Sequence, residues 1–156
     1  MTGAQRIVMS NALLLTDVKQ QISNGHNAII RLKGYSMRPF VENERDMALL
    51  FPVETGELNV NDAVLAEIAP NHYVLHRIIR LEGNHVTLMG DGNMGVTEHC
   101  KRTDVIAKVR AFIRKGHSRP DYTDGWKWRV YSAIWTRTVP LRRYLLFAYR
   151  LLHPRK

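Results

Sequence analysis

Three residues in this chain have the types and the order that acyl transfer requires. Ser36 lies in Gly34-Tyr35-Ser36-Met37-Arg38-Pro39, His76 in Tyr73-Val74-Leu75-His76-Arg77-Ile78-Ile79, and Asp91 in Gly90-Asp91-Gly92-Asn93. A serine hydroxyl is a poor nucleophile at neutral pH, so it needs a base within hydrogen-bond reach and donors for the developing oxyanion. An imidazole ordinarily titrates at ~6.5, so at neutral pH it can take the serine proton and return it to a leaving amine. Asp91 is the expected third member, orienting the imidazole; its competing role is that of a turn residue bonded to its own backbone.

Each of these residues must be held by a local element. Gly34 tolerates backbone angles that other residues avoid, and Pro39 fixes its own φ and restricts Arg38, so Ser36 is expected on a bend. Short β-like runs follow one another at Ala28 to Leu32, Asp46 to Phe51, Ala63 to Ile68, Tyr73 to Leu81, His85 to Met89 and Val105 to Phe112. Six such runs in under ninety residues predict an antiparallel, mainly β core. Glu82-Gly83-Asn84 supplies a hairpin turn after the His76 strand, and strand alternation turns Arg77 away from His76, as an ion-pair or surface residue. The stretch from Phe51 to Asp62 reads as a connecting loop. Before the core, Ala12, Leu13, Leu14, Val18 and Ile22 recur at helical spacing behind Ser10-Asn11, predicting a helix over about 11–23 with a stop at Gly25.

The boxes Ser-Met-x-Pro, Val-x-His-Arg and Gly-Asp-x-Asn, in that order and spacing between Gly34 and about Val109, resemble those of the signal peptidase I family and its self-cleaving-repressor relatives, the serine peptidases grouped as S24 and S26. Histidine at position 76, where many members carry a lysine, resembles the histidine-base branch. The resemblance implies a signal peptidase/LexA-like fold, a Ser36/His76 pair and cleavage after small residues of a leader or signal-like segment. It also implies a cleft shaped by Met37, a bend held by Pro39 and an oxyanion donor in the Ser36 amide; Met37 and Pro39 could equally be core. Position 34, a glycine here, offers no side-chain hydroxyl donor. In the histidine branch the orienting acid lies a few residues past the Gly-Asp-x-Asn box, where this chain has Glu98, so Glu98 is the alternative to Asp91.

Charge divides the chain. Its 156 residues carry a net charge of +9, and between 114 and 156 eleven Lys and Arg face two Asp, so the segment before it is neutral. A basic tail on a neutral body suggests an anionic partner surface. The tail also carries Trp126, Trp128, Tyr131, Trp135, Tyr144, Phe147 and Tyr149. Thr123 or Asp124 is placed to cap a helix through Thr136, and Pro140 suits the first turn of another over about 139–152. In that helix Leu141, Tyr144, Leu145, Ala148, Tyr149 and Leu152 share one apolar face, with Arg143 and Arg150 on the polar one. Two readings stay open for the tail: an interfacial membrane segment over 123–156, or a helix pair packed on the β core or another subunit. Nucleic-acid binding is disfavoured because the aromatics belong to the apolar helix face.

The single cysteine, Cys100, excludes an intramolecular disulfide. His72 and His76 lie two pleats apart on a strand, about 13 Å, so no metal centre or other cofactor is expected. Neither a secretory signal nor a membrane-spanning helix is evident, which predicts a cytoplasmic or membrane-peripheral location. The expected organisation is an N-terminal helix over 1–26, a β peptidase-like domain over 27–115 and a basic amphipathic helical appendage over 116–156. The expected function is serine endopeptidase activity on a peptide or protein with an extended leader. Its competitor is a non-catalytic β module that binds peptide or membrane through the tail.

Overall fold

The computed structural model describes residues 11–54 and 57–154. Helix α1 (Asn11–Ser23) precedes strands β1 (Ala28–Arg31), β2 (Met47–Pro52), β3 (Ala63–Ala69), β4 (His72–Glu82), β5 (His85–Met89), β6 (Glu98–Lys101), β7 (Val105–Ile113) and β8 (Asp121–Tyr122), and helices α2 (Trp126–Arg137) and α3 (Arg142–Leu152) follow. The protein is thus a mainly β antiparallel core with an N-terminal helix and a C-terminal helical segment. The predicted Ser10 cap lies outside the described residues.

All strands join one antiparallel sheet in the order β1-β2-β7-β3-β4-β5-β6, with β8 paired to β7. Alternation along a strand sends successive side chains to opposite faces, and here each face has its own core. In β3, Ala63 and Leu65 join a cluster with Val18 and Ile22 of α1, Leu50, Val109, Phe112 and Trp128. Val64 and Ala66, the intervening residues, join Ile78, Val86, Leu88 and Cys100. Covering both faces explains why the consecutive residues His76, Arg77 and Ile78 are all buried.

Two strands were not anticipated. β6 reads Glu98-His99-Cys100-Lys101, too short and polar to stand out, and of its four residues only Cys100 is buried. β8 is two residues long.

The tail begins with α2, docked on the first core cluster. Trp128 lies edge-on to Phe40 with centroids 5.0 Å apart and packs on Phe112 and Tyr131 at 5.4 and 5.8 Å. The expected caps serve other contacts: the Thr123 hydroxyl donates to the Val109 carbonyl at 2.9 Å and Asp124 pairs with Arg110 at 3.1 Å, so Gly125 takes the N-cap position. Pro140 lies in a short 3-10 turn over Val139–Leu141, and α3 starts only at Arg142. Among the described residues, no helix is long and apolar enough to cross a membrane.

Candidate active site

Ser36 sits half-buried on a turn after β1. Gly34 has φ +92, a left-handed conformation that a side chain would strain, and its amide donates to the Asn43 carboxamide oxygen at 2.7 Å. Arg38–Pro39 is a cis peptide. Met37 is buried in the first core cluster and, with Ser36, Gly34, Leu32, Val41 and Leu75, borders a small cavity of about 50 Å³.

The Gly90-Asp91-Gly92-Asn93 turn lies directly against this segment. The Gly92 amide donates to the Ser36 carbonyl at 2.7 Å. A Cβ at Gly90 would fall 2.9 Å from the Ser36 Cβ, and one at Gly92 would fall 2.3 Å from the Tyr35 carbonyl oxygen. Both positions therefore need glycine for close backbone approach rather than for an unusual φ. Arg77 of β4 pairs with Met89 of β5, and His76 and Gly90 are the next residues along these two strands. Ser36 and His76 consequently lie at the same end of the β4–β5 ladder. Among the described residues no hydrogen bond joins the Ser36 hydroxyl to His76.

His76 is 5% exposed, and its Nδ1 lies 2.9 Å from Glu98 Oε2. A carboxylate oxygen can only accept, so the contact places a ring proton on Nδ1; in the neutral imidazole that tautomer has its lone pair on Nε2. Glu98 reaches His76 from β6, across β5. Pairing of Val86 with Cys100 and Leu88 with Glu98 fixes β6 in that place.

Asp91, the acid expected to orient the histidine, does something else. Its two carboxylate oxygens take Arg77 Nε at 2.8 Å and Arg77 Nη2 at 2.7 Å, and Oδ2 also accepts the Tyr131 hydroxyl at 2.7 Å. Arg77 Nη1 donates to the Ser132 hydroxyl at 2.6 Å, its guanidinium lies 4.4 Å from the Trp128 ring, and Trp135 Nε1 donates to the Asp91 carbonyl at 3.1 Å. The physical reason is alternation: Arg77 points to the face opposite His76, and Asp91 follows it there to neutralise a buried cation. Burial acts to lower the Arg77 pKa, but the hydrogen bonds and charge of Asp91 outweigh it and hold the guanidinium above its ordinary value. Of the two roles the sequence left open for Arg77, ion pair or surface, the structure shows a buried ion pair, with α2 as the unforeseen third party.

No family model matches the chain, and no curated protein matches it.

A second polar cluster holds the turn from its other side. Arg38 is buried, pairs with Glu42, lies 4.4 Å from the Tyr35 ring and donates to the His153 carbonyl at 3.2 Å. The Tyr149 hydroxyl donates to Glu42 Oε2 at 3.0 Å. Among the described residues, no group of three or more His, Cys, Asp or Glu is placed to hold a metal ion. Of the residues singled out from the sequence, Ser36, Gly34, Met37 and Pro39 share one turn, His76 and Glu98 are in contact, and Asp91 belongs to the structural network.

Proposed function

We propose that this protein is a serine endopeptidase of the signal peptidase I-like type, with Ser36 as nucleophile, His76 as base and Glu98 as the acid that orients it. The observation that carries the reading is the 2.9 Å contact between His76 Nδ1 and Glu98 Oε2. It fixes the tautomer whose Nε2 can accept a proton, and it stabilises the imidazolium formed once that proton is taken. Ser36 attacks the scissile carbonyl as its proton passes to His76; the same proton then goes to the departing amine, and water releases the acyl group by the reverse sequence.

The cavity of about 50 Å³ beside Ser36, which Lys33 and Glu42 line together with Leu32, Met37, Val41 and Leu75, has room only for a small side chain on the acyl side of the scissile bond. In this reading the close packing of Gly90 and Gly92 on residues 35–36 fixes the height of the hydroxyl relative to β4. The finer fold assignment, a signal peptidase/LexA-like core, belongs to the same proposal. It is supported by the order of the three boxes and by their meeting at one end of the β4–β5 ladder.

The test is a serine-directed acylating probe on the full chain, with Ser36→Ala and His76→Ala beside it and the label located by mass spectrometry. Labelling at Ser36 is expected, and absent in both variants. No labelling at any pH, with or without leader-like peptides and lipid, would overturn the reading in favour of a non-catalytic β module.

A further inference from the structure

Helices α2 and α3 each turn large apolar and aromatic side chains outward as well as inward. In α2 the inward residues are Trp128, Ser132 and Trp135. Its opposite side presents Trp126, Val130 and Ile134, spaced i, i+4, i+8 on one stripe, with Trp126 72% exposed. In α3 the inward residues are Arg142 and Leu146. Outward stand Tyr144, Phe147, Leu151 and Leu152, of which Phe147 is 62% and Leu151 69% exposed, and Val139 and Leu141 in the intervening turn are exposed too. Exposed Arg129, Arg137 and Arg143 flank these stripes.

Apolar stripes left in water mark interaction sites, and the charge around these selects the occupant. Residues 114–156 carry a net charge of +9, and Asp121 and Asp124 within it are already paired with Arg114, Lys127 and Arg110. A second copy would bring the same positive surface against this one, a repulsive arrangement. An anionic bilayer instead meets the arginines with phosphates and receives the apolar stripe in its acyl boundary. Tryptophan and tyrosine at the margin suit the headgroup level. Neither helix is long enough to span a bilayer, so both would lie along it.

We infer that the outward face of α2 and α3 is a docking surface for an anionic phospholipid bilayer, along which these two helices lie. The docking stands without the peptidase reading; its consequence for catalysis rests on that reading. Tyr131 and Trp135 of α2 are bonded to Asp91, whose neighbours Gly90 and Gly92 pack on Ser36 and Tyr35. The far end of α3 is bonded to Arg38 and Glu42 through His153 and Tyr149. Docking would thus hold Ser36 at a fixed position relative to the membrane, suited to substrates that emerge from it.

The experiment is co-sedimentation of the full chain with vesicles of phosphatidylcholine plus phosphatidylglycerol and with vesicles of phosphatidylcholine alone. Binding to the anionic vesicles is expected, weakening with salt, with a blue shift of tryptophan emission that Trp126→Ala removes. A Phe147→Ser/Leu151→Ser variant should bind at least ~tenfold more weakly, since each large apolar side chain withdrawn from water is worth about a tenfold change or more. Circular dichroism checks its fold, and Trp126→Ala alone carries the comparison should the double variant unfold. Failure to bind anionic vesicles at low salt overturns the inference. So does a dimer in solution that the double variant converts to monomer without any vesicle binding by the parent chain. Serine labelling is scored separately, so loss of the peptidase reading and loss of the docking reading are told apart.

Discussion

Arg77 and Asp91 form a two-point ion pair with both side chains 1% exposed, and Tyr131 completes it from α2. The pair lies on the sheet face opposite His76, so the two carboxylates that the sequence offered for one role occupy different sides of the sheet. Asp91 attaches α2 to the turn beneath Ser36, and of the two acids it is Glu98 that meets the histidine.

Removing one member of a buried pair leaves the other charge without its partner, which costs about 3–5 kcal/mol. Arg77→Met is therefore expected to lower the stability of the protein by that amount, read from the urea midpoint at constant slope. Arg77→Met/Asp91→Leu should recover much of the loss, because replacing both partners by apolar groups removes the uncompensated charge. A single-variant loss below ~1 kcal/mol would mean that the pair does not fasten α2 to the core.

Glu98 is half-buried and among the described residues its carboxylate makes one polar contact, so Glu98→Gln is expected to change stability by only about 0.5–1.5 kcal/mol. Its effect on chemistry should be far larger. An amide at this place can donate to Nδ1 and stabilise the wrong tautomer, a change that costs ~10⁴ in kcat where an orienting aspartate is replaced by asparagine. Peptide cleavage should fall by about 10³–10⁴ with KM little changed, whereas Asp91→Asn should lose stability first. Equal activity of Glu98→Gln and the parent chain would remove Glu98 from the mechanism.

The strand pattern was legible in the sequence because the inward residues of β2, β3, β4, β5 and β7 are the aliphatic and β-branched types that pack on a pleated sheet. Glu98 was harder to place because β6 has no such run; its signals are the alternation of Glu98 and Cys100 and the tendency of cysteine to be buried. The amphipathic character of α3 was equally plain, but its direction was not. Tyr149 and Arg142 turn inward because Glu42, Trp135 and Met89 offer them partners, and those partners are 7 to 107 residues away in the chain. Periodicity reports that a face exists; long-range hydrogen bonding decides which face the core receives.

Gly92→Ala tests the contact between the two turns. The added Cβ would come 2.3 Å from the Tyr35 carbonyl oxygen, a backbone atom with no flexible side chain to yield. Overpacking of this kind costs about 1–3 kcal/mol. The substitution should also weaken probe labelling at Ser36, as the 35–36 backbone is pushed from its place. Full labelling at unchanged stability would show that the two turns move independently.

The alkaline limit of stability follows from two buried acids. Burial pushes the Cys100 thiol up to about 11, with the charge of Asp104 adding to the effect. Burial also raises the Tyr131 phenol well above its ordinary value, and Asp91, which accepts its proton in a hydrogen bond, raises it further. Both groups hold their protons more tightly in the folded chain than in the unfolded one, where a thiol titrates at ~8.5 and a phenol at ~10. The stabilisation they represent is complete below ~8.5 and is lost as the pH rises, because the unfolded state ionises first. Urea midpoints should therefore fall between pH 8.5 and 11. Phenolate absorbance from Tyr131 should appear only with unfolding, and alkylation of Cys100 at pH 8 should be slow in the native protein and fast in urea. Cys100→Ala should flatten the first part of the decline and Tyr131→Phe the second. Rapid alkylation of the native chain at pH 8 would place Cys100 outside the core that Val86, Leu88 and Ile78 build around it.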